Sequence, residues 1–277
     1  MAVAIDTTLE QVVAAALAED VGSGDVTTKA TVDPGAIASA TIVLKEPGVV
    51  CGVRVAETVF RLLDDEVAFE ALVEEGAVLE RPAPIARVTG PARAILTGER
   101  VALNFLGRLS GIATLTRRYV DAVAGTGAVI LDTRKTTPGI RALERHAVAC
   151  GGGRNHRFGL ADGVLVKDNH LRVAGSIALA VERVRAATDL PVEVECDTLE
   201  QVSEAVAAGV DAILLDNMTL AELSAAVELV GSRARLEASG GVTLDNVRAV
   251  AQAGVDEVSI GALTHSARSL DVSLELT

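Results

Sequence analysis

Residues 192–216 read VEVECDTLEQVSEAVAAGVDAILLD, and this stretch decides the predicted fold. It contains two apolar runs, 192–196 and 212–216, on either side of an Ala-rich amphipathic segment, 199–209. The middle segment ends in Gly209, and glycine is typical just after the last turn of a helix. The stretch has the length of one strand, one helix and a second strand, so the pattern predicts two parallel strands joined by a crossover helix.

The same unit recurs through the second half of the chain. Successive runs begin roughly 20 to 35 residues apart, which is the length of one strand–helix unit. The runs are 128–132, 163–168, 192–196, 212–216, 235–241 and 257–262. A row of such units predicts a parallel sheet, and further curling of that sheet gives an α/β barrel. The pattern does not choose between barrels of six, seven and eight strands.

The first half of the chain follows a different pattern. An amphipathic helix is predicted over 9–20, and extended segments punctuated by Gly and Pro are predicted over 39–50, 67–73 and 84–96. A long helix is predicted over 97–125, where apolar residues fall near helical spacing. These elements predict a smaller α+β domain before the parallel sheet.

The composition restricts the class of protein. The chain has 277 residues, a net charge of -13 and only 2% aromatic residues. Acidic chains repel phosphate backbones, and few side chains here can stack on bases, so nucleic acid is not an expected partner. No apolar run approaches the roughly 20 residues of a membrane span, and no Lys precedes Lys29 to begin a signal peptide. A cytoplasmic protein without a membrane partner is expected.

The three cysteines, Cys51, Cys150 and Cys196, are odd in number, widely spaced and outside any CxxC pair. This spacing argues against a disulfide framework and against a zinc site. Buried free thiols are the expectation.

Charged residues follow most of the predicted strands of the second half. Arg134 and Lys135 follow the first run, and Lys167, Glu195 and Asp216 end the next three. The carboxyl ends of the strands form the functional face of an α/β barrel, so these side chains are candidates for one site. Lys167 ends a wholly apolar run, which predicts a buried stem and a ligand-binding or catalytic ammonium.

The last two predicted strands end in glycine-containing loops, SGG at 239–241 and IGALTHSA at 260–267. Free backbone N–H groups at helix starts bind phosphate monoesters, and the loops after the last two strands are the usual phosphate site of a barrel. The alternative is that these glycines only serve the geometry of turns.

Two carboxylates, Glu193 and Glu195, alternate with valines and therefore share one face of a strand. Glu195 and Asp216 could hold Mg²⁺ mostly through water molecules. An ion pair of Glu195 with Lys167 or Arg134 explains the pattern equally well, and both interpretations stay open.

Cationic residues are concentrated between residues 132 and 157 of this acidic chain. The strand end and the glycine turn are expected to bring one set to the site, composed of Arg134, Lys135, His156 and Arg157. The helix between them is expected to place Arg141 and Arg145 on the surface, together with Arg154. Several inward cations would cost several kcal/mol without compensation, so a multiply anionic ligand is predicted.

The order of motifs resembles the quinolinate phosphoribosyltransferase family, whose members are also called carboxylating nicotinate-nucleotide pyrophosphorylases. The matching stretches are LAEDVGSGDVTT (17–28), GERVALNFLGRLSGIAT (98–114), DTRKTTPGIRALERHAVACGGGRNHR (132–157), DGVLVKDNH (162–170), VEVECDTLEQ (192–201), ILLDNM (213–218), LEASGGV (236–242) and VSIGALTHS (258–266). The resemblance implies an N-terminal α/β sandwich domain, 1–110, to which 270–277 pack back, and an open α/β barrel of about six to seven parallel strands, 111–269. It further implies a homodimer, Mg²⁺ as cofactor, and conversion of quinolinate and phosphoribosyl pyrophosphate into nicotinate mononucleotide, CO₂ and pyrophosphate.

The resemblance also implies the roles of individual residues. The quinolinate pocket would contain Thr133, Arg134, His156, Arg157 and Lys167, with Arg100 supplied by the partner subunit. Phosphoribosyl pyrophosphate would be bound by Lys135, Glu195, Asp216, Ser239, Gly240, Gly241, Ile260, Gly261, Ala262 and His265. Lys135, Lys167, Glu195 and Asp216 would be catalytic, and Glu195 and Asp216 would also hold the metal.

The chain departs from the family pattern at three places. His146 stands where a Tyr is common, Arg154 replaces a small apolar residue, and SARSLD, 266–271, lacks a common Pro. Two other functions remain as alternatives. One is a transferase of the same fold that uses nicotinate or another anionic ring, and the other is a phosphate-binding barrel that only senses or scaffolds.

Overall fold

A computed structural model describes residues 2–277, with side chains from Leu9 onward. The helices are α1 (Ala2–Val21), α2 (Val26–Thr31), α3 (Val53–Leu63), α4 (Ala92–Ala122), α5 (Arg141–Cys150), α6 (Asp168–Ala174), α7 (Ile177–Ala187), α8 (Leu199–Ala207), α9 (Leu220–Val230), α10 (Val247–Gln252) and α11 (Ala262–His265). The strands are β1 (Ile37–Leu44), β2 (Gly48–Val49), β3 (Ala68–Ala71), β4 (Val78–Leu79), β5 (Ala83–Pro91), β6 (Val129–Leu131), β7 (Val164–Val166), β8 (Val192–Cys196), β9 (Ala212–Asp216), β10 (Arg235–Ser239), β11 (Glu257–Ser259) and β12 (Val272–Leu276).

The chain divides into two compact units. The first contains residues 1–115, 137–152 and 266–277, and the second contains residues 116–136 and 153–265. The first unit is thus built from three separate segments of the chain.

The first unit is built on an antiparallel sheet with the strand order β12-β1-β5-β3, beside a two-stranded ribbon of β2 and β4. Strand β12 comes from the C-terminal segment and pairs with β1, with Ala40 opposite Leu276. Ile42, Phe60 and Ile85 are fully buried in this unit, which has an aliphatic core with one aromatic ring at its centre. The C-terminal segment also contacts α4, because Leu270 N donates to Gly107 O at 3.0 Å.

Helix α4 begins earlier than the sequence pattern predicts. Residues 92–96 were expected to be extended, and the structure places them in the first turns of the helix, which starts at Ala92. The preceding Pro91 ends β5, and Ala, Arg and Leu are strong helix formers. Proline just before a helix and good helix formers after it outweigh the β-branched Ile95, so the prediction for this segment was wrong.

The second unit contains a six-stranded sheet with the order β6-β11-β10-β9-β8-β7. All of its pairings are parallel, and helices alternate with strands along the chain. Strands β6 and β7 follow one another in sequence but lie at opposite edges, so within the described residues the sheet is open. The mixed α/β class and the six parallel strands confirm the predicted fold and settle the strand count.

All three cysteines are free thiols; Cys51 and Cys196 are buried, and Cys150 is half-buried. Within residues 2–277, no helix combines the length and apolarity needed to span a bilayer.

Candidate active site

The carboxyl ends of the parallel strands bring several of the predicted residues to one edge of the sheet. Lys167, directly after β7, donates from Nζ to Glu195 Oε2 at 2.7 Å. The lysine side chain is 45% exposed and the glutamate side chain is 17% exposed. The ion pair that the sequence left open as one of two interpretations is therefore present, and Lys167 lies between the end of β7 at Val166 and the start of α6 at Asp168.

Asp216 ends β9, the strand that pairs with β8, and its Oδ2 accepts a hydrogen bond from Asn217 Nδ2 at 2.7 Å. Asn217 is the one non-glycine residue with positive φ among the described residues. Its backbone N–H donates to Ser239 O at 2.9 Å, which links the ends of β9 and β10. The chain therefore turns sharply where the carboxylate is presented.

The glycine loops lie beside these carboxylates. Gly240 has φ +88°, and a Cβ atom there would overlap the side-chain amide of Asn217. At Gly261 a Cβ atom would lie 3.1 Å from Lys135 Cδ and 3.1 Å from His265 Nε2. Thr264 Oγ1 donates to Lys135 O at 2.8 Å. A side chain at Gly240 or Gly261 would meet these neighbours, so both positions favour glycine.

The remaining members of the predicted phosphate site extend this arrangement. Ser239 is half-buried at the end of β10, and Gly241 is exposed. Ile260 is buried, and Ala262 begins α11. Helix α10 begins only at Val247, so a turn separates it from the SGG loop, and the expected helix start directly after that loop was wrong.

Strand β6 is joined to the glycine turn by a short parallel bridge. Arg154 N donates to Ile130 O at 2.8 Å, and Asp132 N donates to Arg154 O at 3.2 Å. The buried Asp132 carboxylate then accepts from Asn155 Nδ2 and from His156 N, each at 2.7 Å. Sequence reasoning passed over Asp132 and Asn155, although an aspartate ending an apolar run was a usable signal.

A buried triad lies where His156 enters the unit, composed of His156, Glu193 and Glu237. His156 Nε2 is 3.2 Å from Glu193 Oε2 and 3.3 Å from Glu237 Oε2. The glutamate side chains are only 8% and 1% exposed. The sequence placed Glu193 and Glu195 on one face of β8, but Glu237 was missed because it stands alone inside an apolar run.

The buried triad holds a proton tightly. Burial opposes the charge on His156, but its carboxylate neighbours outweigh burial and raise its pKa to about 10. Burial raises the pKa of Glu237, and the negative charge of Glu193 adds to the effect. In the neutral ring, His156 Nδ1 accepts from Arg157 N at 2.8 Å, and Nε2 carries the proton that faces the two carboxylates.

Arg157 lies beside the triad and is held by Gly163 O, which accepts from its Nη1 at 3.0 Å. Burial lowers the pKa of Arg157, and the nearby charge of Arg134 lowers it further. The two guanidinium groups are therefore close enough to repel one another, an arrangement that a dianionic ligand would relieve. Arg157, His156, Glu193 and Glu237 line a cavity of about 350 Å³.

The structure distributes the other predicted cations unevenly. Lys135 and Arg154 are exposed, and Arg141 and Arg145 are half-buried, so the predicted surface set is only partly at the surface. Thr133 Oγ1 accepts from Lys135 N at 3.1 Å, which shapes the turn after β6. Arg100 is exposed on α4 within the first unit. His170 lies in the first turn of α6, and its Nδ1 accepts from the backbone N–H of Lys167, the residue before the helix, at 2.9 Å.

The chain is similar to known proteins over nearly its full length. Residues 112–275 match the family model "Quinolinate phosphoribosyl transferase, C-terminal domain", and residues 25–110 match the corresponding N-terminal domain. The nicotinate-nucleotide pyrophosphorylase [carboxylating] of Mycobacterium leprae is 47% identical over 268 residues, 94% of each chain. A probable enzyme of the same name from Bacillus subtilis is 44% identical over 94% of this chain and 90% of its own.

Solved structures agree with the sequence comparisons. NadC from Streptococcus pyogenes superimposes with a TM-score of 0.93 at 43% identity, covering 100% of this chain and 98% of that one. The nicotinate-nucleotide pyrophosphorylase of Francisella tularensis gives a TM-score of 0.93 at 35% identity, with 98% and 96% covered. With both domain models matched in order and relatives this similar over the whole length, the chain belongs to the quinolinate phosphoribosyltransferase family.

Proposed function

We propose that this protein transfers the phosphoribosyl group of phosphoribosyl pyrophosphate to quinolinate and decarboxylates the product, giving nicotinate mononucleotide, CO₂ and pyrophosphate. The observation that carries the proposal is that Arg157, which follows His156 and donates from its backbone N–H to His156 Nδ1, lies within electrostatic reach of the Arg134 charge. Two adjacent guanidinium groups fit a ligand with two carboxylates, which a bidentate fork can orient. Family membership supports the same reaction.

The carboxyl edge of the sheet supplies what the ribose and phosphate groups need. Glycines at 240, 241 and 261 leave the backbone accessible to a phosphate, and Lys135 lies against Gly261. Departure of pyrophosphate leaves positive charge on the sugar, which the carboxylates Glu195 and Asp216 can stabilise. Lys167, bound to Glu195, can also donate to a substrate carboxylate.

Decarboxylation follows from the first step. Once the pyridine nitrogen is alkylated, its positive charge stabilises the carbanion left on the neighbouring ring carbon when CO₂ departs. A proton taken up from solvent at that carbon completes nicotinate mononucleotide. No side chain has to remove a proton, so positioning and electrostatics account for the chemistry.

The donor atoms at this edge fit Mg²⁺. Glu195 and Asp216 present hard oxygen ligands on neighbouring strands, and in each carboxylate one oxygen accepts a hydrogen bond from a neighbouring side chain. Two carboxylates with water and substrate oxygens form the type of site in which Mg²⁺ is usually held. When bound, the ion would neutralise charge on the leaving pyrophosphate.

Turnover assays test the reaction directly. Purified protein incubated with Mg²⁺, phosphoribosyl pyrophosphate and quinolinate labelled at the carboxylate next to nitrogen should release labelled CO₂ together with nicotinate mononucleotide. Nicotinate in place of quinolinate serves as the matched substrate, because it lacks that carboxylate. Turnover of nicotinate alone would instead support the alternative transferase, and turnover of neither would support a sensing or scaffolding role.

The active enzyme is proposed to be a homodimer in which Arg100 completes the partner's site. Its exposure on α4 leaves it available to a second subunit. The variants Arg100→Ala and Arg157→Ala should each be inactive, whereas mixed dimers should recover part of the activity through one intact site. Absence of recovery after verified subunit exchange would exclude a shared site.

We also propose a cytoplasmic location, which the three free thiols support, and cell fractionation tests it.

A further inference from the structure

A second cluster of metal-ligating side chains lies in the first unit, in residues to which the proposed reaction gives no role. It is composed of Cys51, Glu75, His146 and Cys150, and we name it the thiol cluster. One ligand atom of each residue lies within 4.8 Å of the others. No sequence pattern predicts it, because Cys51 and Cys150 lie far apart in the chain and form no CxxC pair.

The distances within the thiol cluster match those of a tetrahedral metal site. Cys150 Sγ is 3.5 Å from His146 Nε2 and 4.0 Å from Glu75 Oε2. His146 Nε2 is 3.7 Å from Glu75 Oε2. Bonds of about 2.0–2.3 Å to a tetrahedral Zn²⁺ place ligand atoms roughly 3.3–3.8 Å apart. Contraction by a few tenths of an ångström would therefore bring these atoms to bonding geometry.

The backbone holds the four ligands in place. His146 and Cys150 are four residues apart on α5, so they project from one face of that helix. The backbone of Cys51 is fixed by Ser110, which donates from Oγ to Cys51 O at 3.1 Å and accepts from Cys51 N at 3.0 Å. The Glu75 carboxylate is fixed by Gly52 N, which donates to Oε2 at 2.9 Å.

Solvent access is graded across the cluster in a way that permits loading. Cys51 is fully buried, the Glu75 side chain is 20% exposed, and the His146 side chain is 53% exposed. An ion can therefore enter past the imidazole and bind the buried thiol last. Two sulfurs, one imidazole nitrogen and one carboxylate oxygen form a ligand set typical of tetrahedral zinc rather than of Mg²⁺ or Ca²⁺.

We propose that the thiol cluster binds one Zn²⁺ ion through Cys51, Glu75, His146 and Cys150, separately from the catalytic Mg²⁺. Zinc is held by thiolates, a neutral imidazole and a carboxylate, so binding releases to solvent any protons that the two thiols and the imidazole carry. The ion joins α5 to the loops that carry Cys51 and Glu75.

Cobalt substitution tests the proposal on the full-length protein. Metal-free protein, kept reduced and supplied with Mg²⁺, is titrated with Co²⁺. We expect one equivalent to produce a thiolate-to-cobalt charge-transfer band with the strong ligand-field bands of a tetrahedral site, and one equivalent of Zn²⁺ to remove both. The thiolate band distinguishes this site from the buried triad, which contains no sulfur.

Variants locate the ion. His146→Tyr introduces the residue that is common at this position in the family, and Cys150→Ala places the best helix former in α5. Each should weaken Zn²⁺ binding by more than the roughly 10- to 100-fold that follows loss of an outer-shell partner. Cys196→Ala, which removes the buried thiol of the second unit, is the matched control and should leave affinity unchanged. Zinc should raise the Tm of the wild type and of this control, but not of Cys150→Ala.

Three results would overturn the proposal. One is the absence of a thiolate band at equimolar Co²⁺. Another is Zn²⁺ affinity that survives both His146→Tyr and Cys150→Ala. The third is a Cys51–Cys150 disulfide, seen as a mass lower by two hydrogens, in protein purified under reducing conditions. That result would make the two cysteines a disulfide-forming pair instead of metal ligands.

Discussion

The carboxyl edge and the interior of the six-stranded sheet both carry glutamates, in opposite surroundings. At the edge, Glu195 pairs with a lysine that is 45% exposed. In the interior, Glu193 and Glu237 are 8% and 1% exposed and share the single imidazole of His156. Water screens the first group, whereas the second group must keep a proton among its members. The charges at the edge are therefore available to a ligand, whereas the charges in the interior are bound to one another.

The largest effect is expected when the shared imidazole is removed. His156→Ala leaves two buried carboxylates without their bridging donor, and we expect the free energy of unfolding to fall by about 3 kcal/mol. Denaturant titration at neutral pH measures the loss. His170→Ala, which removes an exposed histidine of the same unit, is the control and should cost less than about 1 kcal/mol. Equal losses would show that the buried triad has no special stabilising role.

Removing the edge cation should affect activity and leave stability nearly unchanged. Lys167→Ala should lower kcat/KM by roughly 10- to 150-fold, since a hydrogen bond to a charged group contributes about 1.5–3 kcal/mol. Its Tm should hardly move, because exposed ion pairs contribute little. Arg185→Ala breaks an ion pair of similar exposure with Asp211 and should leave kcat/KM unchanged. A large fall in Tm for Lys167→Ala would remove the distinction between edge and interior.

The buried carboxyl of Glu237 should make the free energy of unfolding depend on pH. Its folded pKa is raised, so the folded state keeps a proton that the unfolded state releases, and stability falls as pH rises above the unfolded value of about 4.3. Glu237→Gln removes the titrating carboxyl, so the free energy of unfolding should fall less steeply as pH rises. Near neutral pH the two proteins should differ by about 1 kcal/mol or less. A decline with the same slope in both would contradict a protonated Glu237.

The smallest effect is expected at Glu46, a half-buried carboxylate of the first unit, and its pH dependence has the opposite sign. Glu46 accepts from both Nη atoms of Arg268, in the SARSLD segment that lacks the common Pro, and from Asp271 N. The Arg268 guanidinium lowers the pKa of Glu46 from 4.5 to about 2. Stability from this contact is present above pH 4.5 and is lost as pH falls toward 2.

Glu46→Gln should therefore weaken the acid dependence of unfolding by less than about 1 kcal/mol. Thermal unfolding between the two pH limits measures the difference. Glu70→Gln breaks an exposed pair with Arg87 on neighbouring strands and is the control. If the acid dependence of unfolding changes equally in the two variants, the contacts of Glu46 with the C-terminal segment stabilise the fold no more than an ordinary surface ion pair does.

Much of the edge could be predicted from sequence, and most of the interior could not. The end of β8 at Cys196 and of β9 at Asp216 coincide with the ends of the predicted runs, which places Glu195 and Asp216 at one edge. The start of α4 at Ala92 was missed because Ala94, Ile95 and Leu96 form an apolar run that fits a strand equally well. The contact of Asp132 with Asn155 joins residues 23 positions apart, and no period records such a contact.

The sequence by itself determined the α/β class, the parallel order of strands in the second half, and which residues stand at strand ends. These features depend on the alternating directions of side chains along a strand and on the period of the helix, both of which repeat within a few residues. Only the tertiary structure decided that Glu237 meets His156 and that Cys150 meets Glu75, 75 positions away. Contacts of this kind depend on how whole elements pack, and packing leaves no periodic signal in the chain.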